Sequence, residues 1–180
     1  MANKTYQTIA PEVPAEAILK SKQEVRQQTD GLGLRTGNKA EFTFICNVLP
    51  GGVERFRQRK EKAQAEAGYW EGQIGTVHDL RIAFFDNDTR FLFAATYSED
   101  FKPYVLDVIK FATPWFDYMF TDVLEGYPGL GAPNIVEWLT QYTLQADLWY
   151  ASNPDLSVRD VAKAEKVFKI FNELLDVAQN

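Results

Sequence analysis

The amino-acid sequence predicts an α+β fold in which helices cover one face of a single antiparallel sheet. Apolar and polar side chains alternate along three segments, which is the period of a half-buried strand. Two of these segments flank the short polar turn Asp86-Asn87-Asp88-Thr89, which is typical of a β-hairpin. Elsewhere apolar residues recur three or four positions apart, which is the period of a buried helix face.

Length and composition limit the class of protein. A chain of 180 residues that is 46% hydrophobic and 14% aromatic buries a core and is not disordered over most of its length. A net charge of −6 argues against nucleic-acid binding, which relies on Lys and Arg. No apolar run reaches the roughly 18–20 residues that span a bilayer, so we expect no membrane insertion. The N-terminus resembles no signal peptide and Cys46 has no cysteine partner, so we expect a cytoplasmic protein.

The first 39 residues differ in character from the rest of the chain. They are polar, with Pro11 and Pro14 early and three glycines late. Loosely spaced apolar residues predict a helix over residues 15–28. We interpret residues 1–39 as an arm that docks on the main domain, residues 40–180, or on a neighbouring subunit.

Within the main domain the predicted elements follow in a recognisable order. Strands are predicted over 41–49, 76–85, 90–97 and 146–152, and helices over 53–67, from about 103 with a kink or break at Pro114, over 135–143, and from 158. This order, which is strand, helix, two strands, helices and strand, is the split βαβ arrangement of a ferredoxin-like fold. Ser157 and Asp160 resemble a capping box. It opens a last helix that we expect to be buried through Val161, Phe168, Phe171 and Leu175.

A sheet with helices on one face leaves its other face open. Apolar residues occur on both faces of the predicted hairpin, and an exposed apolar patch of that size is a liability for a monomer. The sequence therefore predicts a homodimer or higher homo-oligomer in which two such sheets close on each other.

The single histidine, His78, is the first candidate functional residue. The alternation of its strand places it on the apolar face with Leu80 and Ile82. It is interpreted either as a structural residue, as a ligand of iron or haem through a neutral imidazole nitrogen, or as a general acid–base. One His and one Cys on different strands do not make a zinc site.

Asp79 and Arg81 are the other candidates. Alternation places them on the opposite face, with Val77, Ala83 and Phe85. An arginine there can bind a carboxylate or stabilise negative charge in a reaction. The alternative is an ion pair that only satisfies the sheet.

Several short segments resemble a known group of proteins. They are Phe44-Ile45-Cys46-Asn47-Val48-Leu49-Pro50-Gly51, Gly75-Thr76-Val77-His78 with Arg81, Arg90-Phe91-Leu92-Phe93-Ala94, Tyr150-Ala151-Ser152-Asn153-Pro154 and Ser157-Val158-Arg159-Asp160. In these segments the chain resembles small bacterial proteins of the dimeric α+β barrel superfamily. That group is described as peroxidase-like and is distantly similar in fold to dye-decolourising peroxidases and chlorite dismutases, which bind haem. The resemblance covers roughly residues 40–178.

The resemblance implies an oxidoreductase with a small-molecule substrate. It implies haem as the cofactor, His78 as its iron ligand, and Arg81 and Asp79 as catalytic residues. The chain departs from the dye-decolourising enzymes, since it has no Gly-x-x-Asp-Gly motif and no second histidine.

Two classes of function therefore stay open. One is a haem-dependent or cofactor-free oxidoreductase of the α+β barrel type. The other is a non-catalytic binding or assembly protein with the same fold, in which the N-terminal arm links subunits.

Overall fold

The computed structural model describes residues 13–14, 16, 23–29 and 32–179, with side chains as far as Asp176. The elements in these ranges follow the order β1 Arg26–Gln27, β2 Leu34–Thr36, β3 Lys39–Asn47, α1 Gly52–Ile74, β4 Val77–Phe85, β5 Arg90–Ser98, α2 Phe101–Phe120, α3 Ile135–Tyr142 and α4 Val158–Gln179.

The strands form one five-stranded sheet in the order β1-β2-β3-β5-β4, and every neighbouring pair is antiparallel. The central pair, β3 and β5, runs from Lys39 opposite Ser98 to Asn47 opposite Arg90. Helix α1 connects β3 to β4, and α2 follows β5. The predicted α+β class is confirmed, and the arrangement is consistent with a ferredoxin-like fold.

The core lies between the sheet and the helices α1, α2 and α3. Alternate residues of β3 and β5 are buried, among them Phe44, Phe91 and Phe93. The ring of Phe120 from α2 meets Phe91 at 5.3 Å between centroids, and Trp138 from α3 meets Phe44 at 5.7 Å. Aromatic rings bury large areas and favour such tilted and edge-to-face contacts. This packing places the helices on the face that carries the large aromatic residues.

The predicted fourth strand over 146–152 is wrong, because this segment has no regular structure. Three other segments occupy the outer edge of β3, where that strand would have paired. Strand β2 covers the beginning of β3, the Leu144 N–H donates to the Thr43 carbonyl oxygen at 2.8 Å, and the Glu125 N–H donates to that of Asn47 at 3.1 Å. A strand needs a partner edge, and local β-propensity cannot supply one.

The predicted helix over 15–28 falls partly outside the described residues, which omit 15 and 17–22. Its last part is wrong, since residues 23–28 are not helical and Arg26–Gln27 pairs with β2. The described residues of the arm therefore extend the sheet of their own chain.

The buried side chain of Gln28 explains this docking. Its amide nitrogen donates to the carbonyl oxygens of Leu32 and, at 3.1 Å, of Glu41. Its amide oxygen accepts from the Tyr97 hydroxyl at 3.2 Å and from the Phe101 N–H at 3.0 Å. One side chain thus joins the arm to β3, β5 and the first turn of α2.

A kink or a break was predicted at Pro114, and the break is wrong, because α2 continues through it from Phe101 to Phe120. A proline inside a helix costs roughly 3 kcal/mol, mainly through a lost hydrogen bond and a steric clash. Pro114 is exposed, whereas Trp115 and Phe116 after it are buried in the core. Burial of the aromatic residues on both sides offsets the cost of the proline.

Helix α4 begins as predicted but is not buried as predicted. The Asp160 N–H donates to Ser157 Oγ at 3.2 Å and the Ser157 N–H donates to the Asp160 carboxylate at 3.0 Å, so the capping box is confirmed. The apolar residues that were expected to be buried are all exposed: Val161, Phe168, Phe171 and Leu175. The spacing of apolar residues along α4 correctly indicated an apolar helix face. However, no described part of the chain packs on this face.

Replacing Gln28 with Ala is expected to lower the free energy of unfolding by about 2–3 kcal/mol, because buried carbonyl and N–H groups lose their partners. Urea denaturation measures this loss. Glu24→Ala, at an exposed position in the same segment, is the control and should stay within about 0.5 kcal/mol of the natural chain. Equal effects of the two substitutions would contradict a special role for Gln28.

Candidate functional site

His78 lies on a β-bulge at the start of β4. Val77 pairs with Tyr97 and Asp79 with Thr96, so His78 is an extra residue in the ladder. Bulges of this kind redirect side chains and are frequent near functional sites. The bulge also corrects the prediction for Val77, which is buried rather than on the open face with Ala83.

The imidazole of His78 bonds to a buried serine at the end of β5. His78 Nε2 lies 3.0 Å from Ser98 Oγ, and the same oxygen accepts the Val158 N–H at 3.2 Å. When the imidazole proton is on Nε2, Ser98 Oγ accepts from this N–H as well, and Nδ1 is the unprotonated nitrogen. This cluster of His78, Ser98 and Val158 joins the bulge to the first residue of α4. Ser98 was not identified from the sequence, because no local sequence pattern signals this role.

A pocket of about 240 Å³ borders His78 on the helix side of the sheet. Its walls are the last turns of α1, the start of β4 and two parts of α2. They are mostly apolar and comprise Ala67, Gly68, Glu71, Ile74, Val77, His78, Asp79, Leu80, Tyr104, Trp115 and Phe116. Glu71, His78 and Asp79 are the acidic and basic side chains among them.

Burial lowers the pKa of His78, and the positive charge of Lys39 adds to this effect. The carboxylate of Asp79 opposes it and is the smaller contribution. The imidazole is therefore neutral near pH 7, the form that ligates metals and accepts protons.

Asp79 and Arg81 form an ion pair with 3.6 Å between Oδ1 and Nη2. Both side chains are well exposed, at 53% and 70%, so the pair contributes little stability. Arg81 does not line the pocket of His78; it borders a neighbouring groove with Lys60 and Gln64. The structure thus brings His78 and Asp79 to one pocket and leaves Arg81 outside it.

The pocket does not fit a haem within one chain. Sites for drug-sized ligands usually measure about 300–1,000 Å³, and this pocket is smaller. His78 Nε2 already bonds to Ser98, which leaves Nδ1 as the nitrogen for a ligand. Across the part of the chain that the structure describes, His78 belongs to no group of three or more His, Cys, Asp or Glu residues suited to a metal ion. A small ligand that is mostly apolar, with a polar group beside His78, suits the pocket better.

Comparison of the chain with protein-family models, with curated proteins and with solved structures found no significant match. The peroxidase-like relation therefore stays a prediction that rests on short segments. Among the residues that the structure describes, no helix is long and apolar enough to cross a membrane.

His78 is the single histidine, so its ring signals report one titration. We expect NMR to give a pKa below the usual value of about 6.5. A lowered pKa in the folded state means that the unfolded chain binds the proton more readily. The stability due to neutral His78 is then complete above the unfolded pKa and is lost as pH falls through the folded pKa.

His78→Gln removes this titration. We therefore expect the free energy of unfolding of the natural chain to fall more steeply between pH 7 and pH 5 than that of the variant. Parallel curves for the two proteins would show that His78 is not held neutral by the fold.

Proposed function

We propose that this protein is a non-catalytic assembly protein whose folded form is completed by a second copy of the same chain. The observation that carries the proposal is the exposure of the whole apolar face of α4. None of the residues that the structure describes packs on this helix face or on the open face of the sheet.

Every residue of α4 from 159 to 176 is exposed. The exposed fractions include 61% for Val167, 66% for Phe168 and 63% for Leu174. Single exposed apolar residues are normal, but a contiguous apolar patch marks an interaction surface. Isolated helices are only marginally stable in water and depend on packing of their apolar face. The partner of α4 must therefore come from outside the described part of this chain.

The open face of the sheet is the second surface. Ile45, Leu92 and Ala94 lie side by side at its centre and are half-buried, although the described helices that pack on the sheet lie on the other face. Strand β4 is at the edge of the sheet, and Asp79 and Arg81 place charges along it. Charged edge residues discourage growth of the sheet by edge pairing, so the face is the better surface for association.

The arm is not needed for this proposal. Residues 23–29 of the arm join the sheet of their own chain through β1 and Gln28. Linkage of subunits by residues 1–12, 15 and 17–22 of the arm stays a prediction, because the structure does not describe these residues.

The full chain is expected to be a dimer at micromolar concentration in size-exclusion chromatography with light scattering. A monomer of 20.5 kDa under these conditions would overturn the assembly proposal. Leu92→Lys, which adds a charge to the centre of the open face, is expected to shift the protein toward monomer. Thr96→Lys, near the end of the same row of β5, is the milder control.

A second candidate function is the oxidoreductase that the sequence suggested. The observation that favours it is a neutral imidazole at the rim of a mostly apolar pocket, with the Asp79 carboxylate beside it. In this arrangement Nδ1 of His78 is suited to accept a proton from a bound ligand. Haem would need Nδ1 as ligand and a larger space than one chain provides.

Titration with haemin tests this candidate. A Soret band that develops at one equivalent and is lost in His78→Ala, with the fold retained by circular dichroism, would support it. His78→Ala also removes the bond to Ser98, so Ser98→Ala is the matched control and should keep the band. The same weak absorbance change in all three proteins would indicate nonspecific binding and exclude His78 as the ligand.

A further inference from the structure

We infer that α4 of one copy packs across the open sheet face of the second copy, and that the second copy returns the same contact. This inference rests on the proposed function and names the two surfaces that meet. It differs from the barrel expected from the sequence, in which the two sheets meet face to face.

The width of the apolar face of α4 favours a flat partner. Between residues 167 and 176 of the helix the apolar residues are Val167, Phe168, Ile170, Phe171, Leu174 and Leu175. At 100° per residue they cover nearly half of the helix circumference, and Lys169, Glu173 and Asp176 occupy the other side. A two-stranded coiled coil uses a narrower seam, whereas a helix on a broad surface shows a wide face. A sheet is such a surface.

The dimensions of the two surfaces agree. Helix α4 has 22 residues and is about 33 Å long. The strands β3, β4 and β5 have nine residues each and extend about 30 Å. A helix about 10 Å wide covers two to three strands spaced about 4.8 Å apart. One α4 therefore covers the apolar centre formed by β3 and β5.

The start of α4 is held at the end of the sheet, which argues for a second copy rather than the helix's own sheet. The Asn38 side-chain amide donates to the Asp155 carbonyl oxygen at 2.7 Å, and Lys39 Nζ donates to that of Ser152 at 2.9 Å. The Val158 N–H is bound to Ser98. With its first residue and the preceding segment fixed, α4 leaves its own domain with the apolar face uncovered.

Reciprocal exchange also doubles the contact. A two-fold dimer uses the same patch on both subunits, so each chain contributes one helix and one sheet face. A stable interface of standard size buries about 800 Å² per partner. Two helix-on-sheet contacts reach that range more readily than one.

The first experiment removes the apolar face of α4. The double substitution Phe168→Gln and Phe171→Gln is compared with Lys166→Gln and Lys169→Gln on the polar face of the same helix. We expect light scattering to give monomer for the first variant and dimer for the second. A natural dimer that persists in the first variant would overturn the helix contact and leave the proposed assembly intact. A natural chain that is itself monomeric would overturn both.

The second experiment identifies what α4 touches. Ala164→Cys lies on the apolar side of α4 and Ala94→Cys on the open face of β5, and both changes are small. Burial raises the pKa of the Cys46 thiol to about 12, so the natural cysteine stays unreactive. Purified chains carrying one or both cysteines are treated with a short bismaleimide and separated on a denaturing gel.

The expected result is a covalent dimer from the double variant and little dimer from either single variant. Dimer from Ala94→Cys alone would indicate two sheets face to face, and dimer from Ala164→Cys alone would indicate pairing of two helices. A double variant that links only within one chain would show that α4 covers its own sheet. Each of these three outcomes overturns the inference.

Discussion

In the part of the chain that the structure describes, helices cover only one face of the sheet, and the rest of the structure depends on this constraint. Large aromatic residues such as Phe44, Phe93 and Phe120 collect on the covered face and form the core with α1, α2 and α3. The opposite face carries smaller apolar residues such as Ala94 and Ile45, and no described segment of the chain packs on them. Contact between apolar side chains and water is unfavourable. Burial of this face by a second chain would therefore lower the free energy.

Ser98 connects the candidate chemical site to the candidate assembly surface. Its hydroxyl oxygen bonds to His78 on the bulge and receives the N–H of Val158 at the start of α4. A change at His78 therefore affects both the pocket and the anchoring of the helix. Ser98 contacts both His78 and the start of α4. A His78 variant that loses activity or assembly therefore has to be compared with a Ser98 variant.

The sequence predicted the covered face of the sheet correctly. Alternation in β3, β4 and β5 identified the buried row, and His78 does lie on the helix side. Val77 was assigned to the wrong face, because an alternation pattern assumes an unbroken ladder and the bulge adds one residue. The predicted ion pair of Asp79 and Arg81 is present, but alternation could not show that Arg81 borders a different groove.

The sequence by itself determined the features that depend on near neighbours: the strands β3, β4 and β5, the hairpin, the capping box at Ser157 and the apolar period of α4. These follow from side-chain direction and local hydrogen bonding, which a few residues specify. The tertiary structure alone decided which segment occupies the edge of β3, where Gln28 is buried and whether α4 is covered. A period reports that a face is apolar, but what packs on that face depends on residues far away in the chain or on another molecule.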